Sequence, residues 1–233
     1  MELDYSKIKV IGFDADDTLW VNETYFREAE EKFAELLENY ETKNKVDQEL
    51  FKMEMQNLRL YGYGIKGFVL SMIETALELS NNKIPQTTIT TILNLGKEMI
   101  ARPVELLNGV EEVLKKLEEN FRLIVLTKGD LLDQERKLDR SGLTKYFHHV
   151  EVLSDKKEAN YNNLLEHLEV PVKEFLMIGN SLKSDVLPIV NIGAKAIHVP
   201  FHTTWAHEEV SLENYTNNHL TVNKITEILK YLN

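Results

Sequence analysis

Cysteine is absent from the 233 residues, which excludes disulfide scaffolds, zinc-thiolate centres and thiol nucleophiles together. Glycine (10) and proline (5) are scarce, so collagen-like and low-complexity chains are excluded as well. With 43% hydrophobic residues, disorder over the whole length does not fit either. Bases are outnumbered, 27 Lys and Arg against 38 Asp and Glu, for a formal net charge of −11. A surface that acidic repels phosphate backbones and anionic bilayers, so neither a nucleic acid polymer nor a membrane is an expected partner. No apolar run approaches the roughly 20 residues that cross a bilayer. The opening segment carries acid early and its apolar run breaks at Asp14, unlike a signal peptide. A soluble, cytoplasmic protein is expected, long enough for one or two domains.

What is present is a hydrophobic pattern that changes period twice. Ile8–Phe13 is a short β-branched run ending in acids, the mark of a buried strand. From Glu23 to about Ser80 the period becomes helical. Phe26, Ala29, Phe33, Leu36, Leu37 and Tyr40 form one stripe. Ile65, Phe68, Val69, Met72, Ile73, Ala76 and Leu77 form a second. Further helices are predicted around Val46–Leu58 and Thr88–Met99, with no strand between 20 and 105.

After Pro103 strands and helices alternate. The pattern predicts a helix opened by Asn108-Gly109 and strands Phe121–Thr127, His149–Leu153, Phe175–Ile178 and Ala194–Val199. Between them come helices Leu131–Ser141, Glu158–Leu168 and Ser184–Asn191, with Gly142 and Gly193 as left-handed stops. A last short strand plus helix is predicted over His219–Leu232. Such alternation implies a parallel sheet covered on both faces. The expected architecture is α/β: a Rossmann-like core from residues 1–19 and 106–233, with an all-helical insertion over 20–105.

Ligands of open parallel sheets bind at the strands' carboxyl ends. Asp14, Asp16, Asp17 and Thr18 follow the first predicted strand. Thr127 ends the second and Lys128 follows it. Lys156 and Lys157 follow the third; Asn180, Ser184 and Asp185 follow the fourth. Carboxylates from two loops make a hard oxygen site suited to Mg²⁺. A lysine and a threonine hydroxyl opposite them would hold an anion. A metal between carboxylates and a phosphate offsets the repulsion that otherwise prevents carboxylate attack on phosphorus. One aspartate could then form an aspartyl-phosphate, and another could protonate the leaving alcohol and activate water.

The chain resembles the haloacid dehalogenase-like (HAD) superfamily at four places in order. F-D-A-D-D-T-L (13–19) resembles the D-x-D-x-T signature, V-L-T (125–127) the second motif, Lys156 in K-K-E-A-N-Y the third, and I-G-N-S-L-K-S-D (178–185) the fourth. The helical insertion falls where that family carries a C1-type cap. The resemblance implies a Mg²⁺-dependent phosphatase acting on a small phosphorylated metabolite. In that pattern Asp14 is the nucleophile and Asp16 the general acid/base. Thr127 and Lys156 hold the phosphoryl group, with Lys128 beside them. Asp14, the Asp16 carbonyl and Asp185 hold the metal. Asn180 stands where the family usually has Asp, so it is expected to act at one remove or through water. Lys157 leaves the lysine's register open by one. A 2-haloacid dehalogenase or a phosphomutase of the same fold, and a non-catalytic ligand-binding module, are the alternative readings. Asp16 speaks against the dehalogenase, which attacks carbon and needs no acid there. Neither the substrate nor the oligomeric state is legible.

Other patterns have plainer readings. Asp14, Asp16 and Asp185 are residue types that also cap helices, and Lys128 reads equally as a surface or capping residue. Gly62, Gly64 and Gly67 spell a dinucleotide fingerprint but follow a helical stretch where that site needs a strand, so an interhelical turn is expected. His198, His202 and His207 share no helix face and are expected to pack and hydrogen-bond locally. The residues from Asp14 lack the central glycine and terminal glutamate of a calcium loop. The sequons at Asn22–Thr24 and Asn214–Thr216 carry no meaning in a cytoplasmic chain. Trp20, directly after the acidic loop, is expected either to pack in the cap or to form an apolar flap over substrate.

Overall fold

The computed structural model describes residues 4–210 and 219–232; the sequon at Asn214–Thr216 lies outside the described residues. The chain divides into two compact units, one of residues 1–23, 104–128 and 137–233, the other of residues 24–103 and 129–136. In chain order the elements are β1 (Val10–Phe13), α1 (Glu23–Leu36), α2 (Lys43–Tyr61), α3 (Ile65–Leu79), α4 (Gln86–Ala101), α5 (Val110–Leu117) and β2 (Arg122–Lys128). Then come α6 (Leu131–Ser141), β3 (His149–Leu153), α7 (Glu158–His167), β4 (Phe175–Gly179), α8 (Leu187–Asn191), β5 (Lys195–His198) and β6 (Leu220–Thr221).

The first unit is built on one six-stranded sheet, ordered β3-β2-β1-β4-β5-β6, with every pairing parallel. The central strands V-I-G-F and F-L-M-I-G are buried at every position, as a strand covered on both faces can be. Alternate side chains feed two cores. Ile11, Phe13, Leu123, Val125 and Ile178 pack with the apolar stripe of α5. Val10, Ile124, Leu126, Phe175 and Met177 pack with Tyr161 and Leu164 of α7 and Ile189 of α8. Each such side chain contributes about 1.5–3 kcal/mol by burial, and a one-residue slip would exchange the faces. That fixes the register. Phe13 lies opposite Val125 and Ile178, so the residue after it, Asp14, emerges between the ends of β2 and β4. The chain leaves and re-enters this unit side by side: Val21 N–H donates to the Glu105 carbonyl and Leu107 N–H to the Leu19 carbonyl.

Residues 24–103 fold as helices around a core of their own, including Phe33, Leu37, Leu50, Phe68, Met72 and Ile92. Residues 62–64, with Gly62 and Gly64, join α2 to α3 as the expected interhelical turn, and Gly67 lies in the first turn of α3. Residues 129–136 group with this unit, and there Asp130 takes the Lys66 ammonium on both oxygens at 2.9 Å.

Most elements lie within two residues of their predicted ends, and Gly142 and Gly193 do stop their helices at positive φ (70° and 88°). The prediction fails at Ser184–Asn191. A wide π-type turn occupies Leu182–Val186, and the α-helix starts only at Leu187. Pro188 has no N–H for the carbonyl four residues back, and the Leu187 N–H reaches instead to the Leu182 carbonyl. The last segment is also tighter than predicted, a two-residue β6 followed by a 3₁₀ helix at Ile225–Lys230.

Candidate active site

Asp14 leaves β1 with its N–H donating to the Ile178 carbonyl of β4, which anchors its backbone at the sheet edge. The Lys156 ammonium stands 2.5 Å from Asp14 Oδ1 and 2.7 Å from Asp185 Oδ1. It thus bridges acids that are 171 positions apart in sequence. All three residues are buried. Burial first, then the Asp185 charge, pushes the Asp14 carboxyl up to about 7 against the pull of Lys156. Burial works against the ammonium, but the two carboxylates outweigh it and hold Lys156 above the usual lysine range. Two acids facing one base leave an unbalanced negative charge in a place with little water. Lys157, by contrast, points outward and pairs with Asp155 at 2.6 Å. Of the two lysines left open by the sequence, Lys156 is therefore the one brought to Asp14.

The supports of this trio are local. The Thr18 hydroxyl donates to Asp14 Oδ2 at 3.0 Å, and the Ser181 N–H donates to Asp185 Oδ2 at 3.0 Å. Gly179, the last residue of β4, is a positional requirement. A Cβ there would lie 2.3 Å from Asp185 Oδ2, so the strand end must be bare for the carboxylate to lie on it. The wide turn at Leu182–Val186 carries Asp185 over that bare backbone, a use typical of π-bulges at functional sites.

Asp16 faces other partners. Its Oδ1 accepts from the Trp20 indole N–H at 2.7 Å and from the Lys137 ammonium at 2.9 Å. Trp20 is 1% exposed and packs in the sheet core with Phe13 and Val110. That corrects the expectation of a cap contact or an exposed flap: the indole belongs to the core beneath the acidic loop. A tryptophan there gains its burial energy in the core while its one polar atom finds a carboxylate. Asp17, between the two, adopts a left-handed φ of 62°. Its carboxylate accepts the Asn22 and Glu23 N–H groups, and burial raises it to about 7.

At the end of β2, Thr127 is buried and its hydroxyl donates to the Lys128 carbonyl at 3.2 Å. The Lys128 ammonium reaches Glu208 at 2.5 Å and Ser184 at 2.9 Å. Glu208 also accepts from the Ser181 and Ser184 hydroxyls. Burial opposes its charge, yet Lys128 and these hydroxyls hold its carboxyl down at about 2. Asn180 lies next to the trio, with the Thr18 hydroxyl 3.3 Å from its side-chain oxygen. Its carbonyl meets the His198 ring at 2.9 Å. The three histidines do not converge: His202 stacks on Phe201, and His207 lies against Trp205 and Lys183.

Asp14, Asp185 and Lys156 are thus brought into contact, and Thr18 links Asp14 to Asn180. Asp16 is held in an adjoining cluster, and Lys128 is committed to Glu208. Lys137, Glu208 and Gly179 were missed in the sequence. Only Gly179 carried a signal there, as the glycine of I-G-N-S.

The donor set fits a hard divalent cation. Every side chain at the trio offers oxygen except Lys156, and the excess negative charge calls for a cation. Mg²⁺ characteristically takes only one or two carboxylates and fills its sphere with water and substrate oxygen. Among the described residues no group of three or more His, Cys, Asp and Glu side chains is arranged to hold a metal. The trio itself contains two carboxylates, Asp14 and Asp185.

Comparison with known proteins identifies the family. Residues 8–193 match the family model described as haloacid dehalogenase-like hydrolase. A glyceraldehyde 3-phosphate phosphatase of Pyrococcus abyssi is 28% identical over 82% of this chain and 80% of its own. An N-acylneuraminate-9-phosphatase of Rattus norvegicus is 23% identical over 96% of this chain and 93% of its own. The crystal structure of a haloacid dehalogenase-like family hydrolase from Xanthomonas campestris is 35% identical with a TM-score of 0.83, covering 97% of this chain and 96% of that one.

Proposed function

The chain belongs to the haloacid dehalogenase-like hydrolase family and is a phosphoric monoester hydrolase; within that class we propose that it cleaves a small phosphorylated metabolite with Mg²⁺, through an aspartyl-phosphate formed on Asp14. One observation carries the reading: the buried Asp14 and Asp185 carboxylates at two strand ends, joined by the Lys156 ammonium. Asp14, Asp185 and the Asp16 carbonyl would hold the metal, with Asn180 acting through water. When bound, Mg²⁺ supplies the positive charge that lets a carboxylate approach an anionic phosphoryl group.

The chain's own residues do the rest. An Asp14 oxygen attacks phosphorus as the ester P–O bond breaks, and Asp16 gives a proton to the departing alkoxide. Asp16 then takes a proton from water, whose oxygen attacks phosphorus. The bond to Asp14 breaks and inorganic phosphate leaves. Lys156 and Thr127 hold the phosphoryl oxygens, and Lys128, next in sequence to Thr127, is paired with Glu208. Residues 1–19 and 106–233 carry this chemistry, and the helical insertion 20–105 is the cap that selects the leaving group.

The test is a phosphate-release screen of metabolites with and without Mg²⁺, starting from glyceraldehyde 3-phosphate and N-acylneuraminate 9-phosphate. Asp14→Asn should lower turnover by at least about 10³-fold, because an amide is no nucleophile. Full activity in that variant, or an isomeric phosphate as product in place of free phosphate, overturns the reading.

A further inference from the structure

Asp16 is held by donors that no motif announces. The Lys137 ammonium, from α6, sits 2.9 Å from Asp16 Oδ1 and 2.8 Å from Asn22 Oδ1. The Trp20 indole donates to the same Asp16 oxygen at 2.7 Å. A carboxyl group rotates in a broad well about its last torsion, and two donors on one oxygen restrict that rotation. Their own positions are restricted in turn. Trp20 is locked in the sheet core. Asn22 donates its N–H to Asp17 at 2.8 Å, and Lys137 spans from Asn22 to Asp16. The Lys137 side chain is 17% exposed and that of Asp16 23%, so the pair is shielded from most of the screening that leaves surface ion pairs worth little.

From this geometry we infer that Lys137 is a positioning residue, whose ammonium sets the angle at which the Asp16 carboxyl meets the leaving-group oxygen. The inference rests on the proposed role of Asp16 in proton transfer. General acid–base catalysis contributes about 10²–10⁴-fold, and displacement of a reacting group by about 1 Å costs about 10²-fold. Loss of the clamp therefore has room to show in rate without loss of the fold.

The experiment compares kcat/KM for two esters: the alkyl phosphate turned over fastest in the screen above, and 4-nitrophenyl phosphate, whose leaving group needs little protonation. This parameter covers steps up to departure of the alcohol and omits the phosphoryl-enzyme hydrolysis that both esters share. Lys137→Met should lower kcat/KM by about 30–100-fold on the alkyl ester and by less than about 5-fold on the nitrophenyl ester. Inhibition by inorganic phosphate should stay within about 2-fold, since ground-state binding is untouched. Lys137→Arg should recover the alkyl ester to within about 5-fold, because it keeps the charge. Asn22→Ala, which loosens Lys137 from its other side, should show the same discrimination at about 3–10-fold; it serves also if Lys137→Met melts too low to assay. Equal losses on both esters in these variants, or no recovery by arginine, overturns the inference. Asp16→Asn separates the two levels. If it treats both esters alike, the reading of Asp16 fails and takes this one with it. If it discriminates and Lys137→Met does not, the inference about Lys137 fails alone.

Discussion

Asp14→Asn should stabilise the metal-free protein at alkaline pH. Asp14, Asp185 and Lys156 together bury two negative charges and one positive. Burial and the Asp185 charge raise the Asp14 carboxyl from 3.8 to about 7. That rise, at about 1.36 kcal/mol for each tenfold change in proton affinity, sets a ceiling of about 4 kcal/mol on the cost of ionising it in the folded state. The amide would remove that cost and leave a neutral Lys156–Asp185 pair. It also loses a short charge-assisted contact to Lys156, so a net gain of about 1–2 kcal/mol is expected. At this chain length that is a rise in Tm of about 3–6 °C. The sign fixes the pH window. A carboxyl that titrates higher folded than unfolded costs nothing below about pH 4, and its cost grows until about pH 7. The gain should therefore be full at pH 8 and less than half as large at pH 5. Adding Mg²⁺ should raise the wild-type Tm by mass action on the folded state and leave the variant unmoved. Calorimetry of both proteins at the two pH values, with and without MgCl₂, measures all of this. A variant that melts below wild type at pH 8 without metal, or a gain indifferent to pH, would refute the charge accounting.

Removing the base of the trio should do the reverse. Lys156→Met leaves two carboxylates facing each other without a cation, a loss of about 3–5 kcal/mol; Tm at pH 8 should fall by about 6 °C or more and partly recover at pH 5 as Asp14 protonates. Gly179→Ala places a methyl 2.3 Å from Asp185 Oδ2; turnover should drop by about 100-fold or more, and the Tm response to Mg²⁺ should weaken with it. An alanine variant with unchanged kinetics would mean that Asp185 can stand elsewhere and still serve.

The sheet was legible because its central strands, such as V-I-G-F and F-L-M-I-G, are short, nearly unbroken apolar runs, as strands covered on both faces can be. The helical insertion was legible from the period of Phe26, Phe33 and Leu37 and of Phe68, Met72 and Ala76. What failed at Leu182–Val186 was a backbone effect: the apolar pattern fits an α-helix, but Pro188 removes the N–H that would have closed its first turn. Asp14 was legible because it stands just after a strand, where the fold collects ligands; Asp185, six residues past the end of β4, was legible only from the resemblance of I-G-N-S-L-K-S-D to the fourth motif. Lys137 and Glu208 were not. Lys137 lies in D-Q-E-R-K-L, an ordinary charged helix face, 121 residues from Asp16. Glu208 is 80 residues from Lys128. Both are recruited by the need to balance buried charge, and that need exists only once the chain has folded.

The same need gives a physical reason for asparagine at position 180. The Thr18 hydroxyl lies 3.0 Å from Asp14 Oδ2 and 3.3 Å from the Asn180 side-chain oxygen, but it has one proton to give. Given to the charged and nearer Asp14, that proton is not available to Asn180. The neutral amide oxygen of Asn180 is a weaker competitor for that proton than a carboxylate would be, so the threonine stays with Asp14. A carboxylate at 180 would compete with Asp14 for the threonine and add a third negative charge beside a pair that Lys156 already leaves unbalanced. Asparagine at 180 adds no charge beside the Asp14–Lys156–Asp185 trio, where an aspartate would add one.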